Sequence, residues 1–494
     1  MGGPVDPRSR AAERARPGTP AAVGPAWSPT VAALLARTSD QQWERWKQLA
    51  TQTGYCTNPV RLLGGVGHIE PATGEIVSQY ETALEPDGVL LLPCRNRRAS
   101  VCPSCSATYA ADTWQLIAAG LRGGKGLPAS VANHPRVFAT LTAPSFGLVH
   151  TARRTAQPCR TGEPGTCGHG VSLICPTVHD TGSPVVGAPL CPACFDYPAL
   201  VLFNAFAPQL WVRTVIETRR RLAALTGRTV RHVQASLRVS YTKIAEYQRR
   251  GAIHVHAVIR LDARTEAGVR PPPAPYDDPV LLAAAVGFAR QRVSVRPPAA
   301  DDNTGRPISW GTQSDISIIA RASACDGADC AGKSDRAIAN YVAKYVTKGL
   351  PGSRRSGGPA DADAYRCHLA RIADGCRELS RRPELVDMNL DRRIEGLGYP
   401  SRPTSRSRSY STTMGALRRE RSRHAAARSE PLTADAAPDD VIIDAEWRYA
   451  GRGWRNDGEA GYIAQRAEQR LDAIGYAAQD RARERHEAGR ADYA

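Results

Sequence analysis

Gly251-Ala-Ile-His254-Val-His256-Ala-Val-Ile-Arg-Leu261 is an apolar, alternating segment carrying two histidines. It predicts a strand over about 252–261, preceded by a strand over about 232–241 across a polar turn region with Arg249, Arg250 and Gly251. Residues two apart share a face of a strand, so His254 and His256 point together while Ile253, Val255 and Ala257 line the other face. Two neutral imidazoles side by side can hold one divalent cation. If the turn is centred on Arg250, antiparallel pairing sets Glu246 opposite His254, with Cβ atoms about 4.5–5.5 Å apart. The expected ligands are then Glu246, His254 and His256. A slip of one residue would turn Glu246 to the other face, so Gln313 and Asp315 are reserve third ligands. The competing reading is a strand whose two histidines merely hydrogen-bond.

Working outward, Tyr341-Val-Ala-Lys344-Tyr345-Val-Thr-Lys348 falls in a helix expected over about 334–348, and its four named residues share one helical face. The chain has only six lysines against 65 basic residues in all, and two of the six lie in this octet. That bias points to an ammonium being needed beside the phenols. A phenol ionises near pH 10 and attacks poorly at neutral pH unless nearby cations stabilise the phenolate. Taken alone, the octet equally suits an amphipathic helix with half-buried tyrosines and solvated lysines. Together with the histidine pair it suggests metal-assisted attack of a tyrosine on a phosphodiester, with Tyr341, Tyr345, Lys344 and Lys348 as the catalytic set.

The composition agrees with a polyanionic partner. The 494-residue chain has a formal charge of +17 at pH 7, and phosphate neutralisation with counterion release drives binding to nucleic acid. Arg249, Arg250, Arg406 and Arg408 are the candidate DNA contacts. The longest apolar stretch, Leu200 to Val212, is interrupted by Asn204, Pro208 and Gln209, short of the roughly 20 residues a membrane span requires. The N-terminus has no apolar export segment, so a cytoplasmic protein with no membrane partner is expected. In that compartment 13 cysteines are better metal ligands than disulfides. Cys94, Cys102 and Cys105 contain one C-x2-C knuckle, and Cys56 completes a four-sulfur zinc set. Cys167, Cys175, Cys191 and Cys194 contain the second knuckle, with Cys159, His169 and His179 nearby.

The organisation expected is a disordered Arg/Pro/Ala-rich segment over 1–30 and a cysteine-containing region over 31–130. An endonuclease domain over 131–350 carries a Cys-rich insertion at 155–197. A basic DNA-contacting region over 351–430 and a helical or disordered tail over 431–494 complete the chain.

Three blocks, in order, resemble the motifs of HUH endonucleases that start rolling-circle replication: Phe138-Ala-Thr140-Leu-Thr142-Ala-Pro, His254-Val-His256, and Tyr341-x-x-Lys344-Tyr345-x-x-Lys348. The cysteine blocks at 97–105 and 191–199, with Ser-Tyr-Ser-Thr-Thr-Met-Gly-Ala-Leu-Arg at 409–418, resemble more narrowly the replication initiators of actinobacterial plasmids and integrative elements. The resemblance implies a nuclease domain with a central antiparallel β-sheet flanked by helices; with the zinc-knuckle segments and a mostly helical C-terminal region, the expected fold class is α+β. It implies Mg²⁺ or Mn²⁺ at the histidines and nicking of one strand at an origin. The products would be a 5′-phosphotyrosine link and a free 3′-OH primer, with later rejoining. Tyr341 is the first nucleophile, and Tyr345 its partner or a stacking residue. A host polymerase would extend the primer, and a host helicase would unwind the duplex, since no Walker-type P-loop is present. The alternatives are a non-catalytic zinc-stabilised DNA-binding regulator, or the same chemistry in a transposase or relaxase.

Overall fold

The computed structural model describes residues 28–38, 41–152, 157–266, 268–298, 305–321, 335–346, 359–426 and 441–491. In chain order the helices and strands are α1 (Pro29–Thr38), α2 (Trp43–Gln52), β1 (Val60–Ile69), β2 (Ile76–Glu81), β3 (Leu90–Leu92), α3 (Pro103–Arg122), β4 (Arg136–Leu141), α4 (Tyr197–Leu225) and α5 (Val230–Ser236). There follow β5 (Leu237–Tyr247), β6 (Ile253–Ala263), α6 (Pro279–Arg292), β7 (Ser294–Val295), β8 (Ile308–Ser309), β9 (Ser314–Ile318) and α7 (Asp335–Val346). The last are α8 (Pro359–Ser380), β10 (Thr404–Arg406), α9 (Met414–Ala426), β11 (Ile442–Arg452) and α10 (Asp457–Ala491). The fold is α+β with antiparallel sheets.

The central sheet has the order β10-β5-β6-β4-β9, every pairing antiparallel. Alternation along its strands divides it into two unlike faces. Val137, Ala139, Val239, Ala245, Ile253, Val255, Ala257 and Ile259 form one core with residues of α4, α6 and α8. The opposite face carries Phe138, Ile244 and Val258, which pack against Leu116, Ile117 and Leu121 of α3 and Ile338 of α7. The strand expected over 232–241 begins only at Leu237. Residues 230–236 are helical because the Thr229 side chain accepts from His232 N–H at 3.1 Å and caps a helix start. By length and composition α4 would suffice to cross a membrane, but 67 % of its most apolar window is buried inside the protein, so it is a core helix here.

The turn joining β5 to β6 is fixed from four sides. Asn204, fully buried on α4, donates to the carbonyls of Gly251 (2.9 Å) and Leu397 (2.8 Å) and accepts from Ile253 N–H (2.8 Å). Tyr365 Oη on α8 donates to Arg249 O at 2.9 Å, and His368 Nε2 lies 3.1 Å from Arg250 O. Arg250 donates to the carbonyls of Ala143 and Pro144, and Arg249 to that of Thr181. Gly251 has φ +84, and a Cβ there would meet Ile372 at 2.6 Å, so the turn requires glycine.

The tail differs from expectation. Residues 442–452 are strand β11, which runs antiparallel to β1 from Ile69↔Ile442 to Val60↔Arg452. Helix α10 then brings Ile463 and Tyr462 against Trp43 and Trp46 of α2. Arg37 ties the same ends together, bonding Glu459 at 2.8 Å and Asp87 at 2.6 Å. The two ends of the chain thus build one unit. Within the basic region expected over 351–430, the stretch 400–413 contributes edge strand β10 and the fully buried Tyr410.

Candidate active site

The register of β5 and β6 pairs Glu246 with His254 and Ile244 with His256, which is the register of a turn centred on Arg250. His254 Nε2 and His256 Nε2 lie 2.7 Å apart, and Glu246 Oε2 lies 3.3 Å from His256 Nε2. Cis positions on an octahedral ion with bonds of ~2.1 Å are about 3.0 Å apart. Two imidazole nitrogens and a carboxylate oxygen at these separations fit one divalent cation, with further positions left for oxygen ligands. On the other side of β6, β4 sets Thr140 opposite His256, its Oγ1 3.1 Å from His256 Nδ1. A hydroxyl accepting from Nδ1–H leaves the Nε2 lone pair facing the site. Phe138 stacks on the His256 ring at 5.8 Å. Asp315 is paired with Thr140 across β9 and accepts from Ser317 Oγ at 2.7 Å, and the Gln313 carbonyl accepts from Thr142. Of the three candidate third ligands, Glu246 is the one brought to the histidine pair.

Tyr341 enters from α7. Its hydroxyl lies 3.3 Å from His256 Nε2, and its ring stands edge-on to His256 and to Phe138. At 38 % exposure it remains open to a substrate. Ile338 and Ala339 bury the neighbouring face of the helix. Its N-terminus is pinned by Arg136, wholly buried on β4. The guanidinium bonds both Asp335 oxygens at 3.0 and 3.1 Å, Leu121 O at 2.6 Å and Ala320 O at 2.5 Å. Burial pushes the Asp335 carboxyl above its usual range, against the pull of Arg136. Lys344 and Tyr345 lie in α7 by their backbone; their side chains, and Lys348, are outside the described residues.

Four groups among the described residues could hold a metal such as zinc or a divalent cation, the Glu246–His254–His256 group being one. Cys56, Cys94, Cys102 and Cys105 come together as a second. A tetrahedral zinc with bonds of ~2.3 Å separates its sulfurs by about 3.8 Å, and Cys56 Sγ and Cys102 Sγ are 3.7 Å apart. The expected set of Cys167, Cys175, Cys191 and Cys194 is not one group. Cys175 stands with His150, Cys159 and His179, whereas Cys167, Cys191 and Cys194 stand with His169. Spacing identifies a knuckle but not which other residues the loops fold back to it. His150 escaped the sequence reading because it lies before the insertion, at the end of the segment leaving β4.

The arginines expected to contact DNA are mostly engaged within the fold. Arg250 is held by backbone carbonyls, and burial draws its guanidinium below the usual value. Arg406 donates to Ser407 O and Ser411 O, and burial acts on it the same way. Arg249 bonds Thr181 O and lies over the Tyr365 ring. Arg408 is exposed.

A family model described as "Replication initiator protein, pSAM2" (RepSA) matches residues 42–468. A replication initiator protein of Streptomyces ambofaciens is 42 % identical over 436 residues, covering 86 % of this chain and 90 % of that protein. No solved structure matches. The matched span reaches from the residue before α2 into α10, so it takes in all three sheets, every ligand group above and Tyr341. The chain belongs to the RepSA family of replication initiator proteins.

Proposed function

We propose that the chain initiates replication as an HUH-type nickase, cutting one DNA strand at its origin with Tyr341. The observation that carries this reading is the 3.3 Å approach of the Tyr341 hydroxyl to His256 Nε2, on the hairpin that also presents His254 and Glu246. Tyr341 Oη attacks phosphorus, the bond from phosphorus to the 3′ oxygen breaks, and a 5′-phosphotyrosine forms. The phenol loses its proton and the departing oxygen ends protonated, so the step is balanced and leaves a 3′-OH primer. The new ester keeps the energy of the broken one, which allows later rejoining. A divalent cation, Mg²⁺ or Mn²⁺, held by Glu246, His254 and His256 would supply charge neutralisation at the phosphate. Thr140 and Phe138 orient His256, and the Arg136–Asp335 pair orients the helix carrying Tyr341. Lys344 and Lys348 favour the phenolate, and Tyr345 serves as second nucleophile or stacking residue. A host helicase and polymerase would follow the nick.

The test is cleavage of single strands tiled across the replicon that encodes the protein, with Mn²⁺ or Mg²⁺. The expected product is a protein–DNA adduct that survives denaturation, persists in Tyr345→Phe and disappears in Tyr341→Phe. Salt-sensitive DNA binding with no adduct under any metal would overturn the nickase in favour of a non-catalytic regulator.

A further inference from the structure

We propose that the Cys-rich insertion is a two-zinc cross-brace: His150, Cys159, Cys175 and His179 hold one ion, and Cys167, His169, Cys191 and Cys194 the other. The ligand pairs alternate along the chain. The first and third pairs (150/159 and 175/179) close one group, and the second and fourth (167/169 and 191/194) close the other. Two interleaved sites of this kind knot a segment that has little else to hold it. Between residues 157 and 194 the buried apolar side chains, cysteines aside, are Val186, Ala188 and Pro189.

The geometry of the first group fits tetrahedral zinc. Bonds of about 2.0–2.1 Å to nitrogen and 2.3 Å to sulfur predict edges of about 3.3 Å for N···N and about 3.6 Å for N···S. His150 Nδ1 and His179 Nε2 are 3.3 Å apart, Cys175 Sγ and His179 Nε2 3.5 Å, and Cys159 Sγ and His150 Nδ1 3.8 Å. The Thr151 N–H donates to Cys159 Sγ at 3.3 Å and helps to fix its position. In the second group His169 Nδ1 is 3.2 Å from Cys194 Sγ, and all its donor atoms lie within 4.8 Å of one another. A backbone turn closes its knuckle through Cys194 N–H to Cys191 O.

The first site also positions the β5–β6 turn. Two residues beyond His179, the Thr181 carbonyl accepts from Arg249. His150 exchanges backbone bonds with Gly187 and Ala188, and a Cβ on Gly187 would lie 2.6 Å from Arg249, so these backbones touch. Both anchors on the turn therefore flank ligands of the same ion.

The test is zinc content of the full-length protein and its variants, measured by elemental analysis. With the four-cysteine group included, the parent should hold three zinc ions. Cys175→Ser and Cys191→Ser should each hold two, and the double variant one. A parent holding two, or a double variant that loses no more than either single one, would overturn the paired sites. If Cys175→Ser sheds two ions because the insertion unfolds, the ligand-preserving Cys175→His decides. Retention of three ions, with the cobalt-substituted protein losing the charge-transfer absorption of one thiolate in nine, upholds the assignment. Loss of the same two ions overturns it. Hydrogen exchange over 248–251 should accelerate in Cys175→Ser and stay near the parent in Cys191→Ser; equal exchange in all three would remove the positioning role.

Discussion

Replacing Lys243 by Met should stabilise the protein at neutral pH and lose that advantage in alkali. Lys243 sits on β5, on the core side of the sheet and away from the histidines, and is 5 % exposed. Among the described residues its hydrogen-bond partner is the Tyr399 hydroxyl, 3.2 Å away. Burial draws its pKa down to about 8 from the ordinary 10.5. A lysine whose folded pKa is depressed binds its proton more weakly than in the unfolded chain. Below pH 8 both states are charged and folding bears the full penalty; from about 8 to 10.5 the penalty fades; above that it is gone. The gap, at about 1.4 kcal/mol per pH unit, amounts to about 3 kcal/mol. Lys243→Met keeps the length of the side chain but gives up the bond to Tyr399, about 1 kcal/mol. The net gain is about 2 kcal/mol at pH 7 and turns into a loss of about 1 kcal/mol near pH 11. Urea unfolding of variant and parent, followed by circular dichroism from pH 6 to 11, measures the difference directly. A gain that does not vary with pH would refute the burial penalty, and a loss at pH 7 would show that the ammonium is stabilised by the fold.

Thr140→Val removes the hydroxyl beside His256 Nδ1 and should slow adduct formation roughly 10–100-fold while DNA affinity holds. Single-turnover cleavage of a labelled strand reads this, and an unchanged rate would deny Thr140 a role. Arg136→Met strands the Asp335 carboxylate and the carbonyls of Leu121 and Ala320, and should cost about 3–5 kcal/mol in unfolding experiments. Asp335→Asn, which keeps a hydrogen-bonding group, should cost less. Gly64→Ala places a Cβ 1.9 Å from Glu446 O at φ +128, so it should separate β1 from β11 and expose Trp46. Proteolysis between α9 and α10 and a red-shifted tryptophan emission would report that opening; native resistance would contradict the close approach of the strands.

The hairpin was legible because its signals are local: the alternation of Ile253, His254, Val255 and His256, a glycine at the turn, and a register set by symmetry about Arg250, whereas the first strand, expected over 232–241, runs from Leu237 to Tyr247. The β1–β11 pairing was not, although part of its signal is present. Ile443, Ala445, Trp447 and Tyr449 alternate with Asp444, Glu446 and Arg448, a period of two hidden in front of a long helical stretch. Its partner lies nearly the whole chain away, and β1 carries Gly64, Gly65 and Gly67, which weaken strand propensity. There the glycines answer a tertiary need, since the backbone of β11 comes too close for a side chain at Gly64. The metal groups divide in the same way. The knuckles could be read from spacing, but the alternation of ligands between two groups exists only once the loops are folded. Buried arginines are the opposite failure: a basic chain suggests phosphate contacts, yet Arg136, Arg250 and Arg260 satisfy carbonyls and carboxylates inside the protein.

The two halves of the site depend on different supports, and that separation has consequences for any initiator built this way. Glu246, His254 and His256 belong to one hairpin, whose turn is tied to α4, α8, the carbonyls after β4 and the Cys-rich insertion. Their mutual distances are set by strand pairing and do not require α7. Tyr341 comes to them on a separate helix, oriented by Arg136 at its start and by Ile338 and Ala339 on α3. Loosening α7 should therefore weaken attack while leaving cation affinity near the parent's. Loosening the turn should weaken both, because Glu246 and His254 flank it and His256 is the contact of Tyr341. Metal affinity and adduct rate measured together on Asp335→Asn and on a turn variant such as Asn204→Ala would separate the two supports. Equal effects on both quantities in both variants would mean that hairpin and helix move as one body.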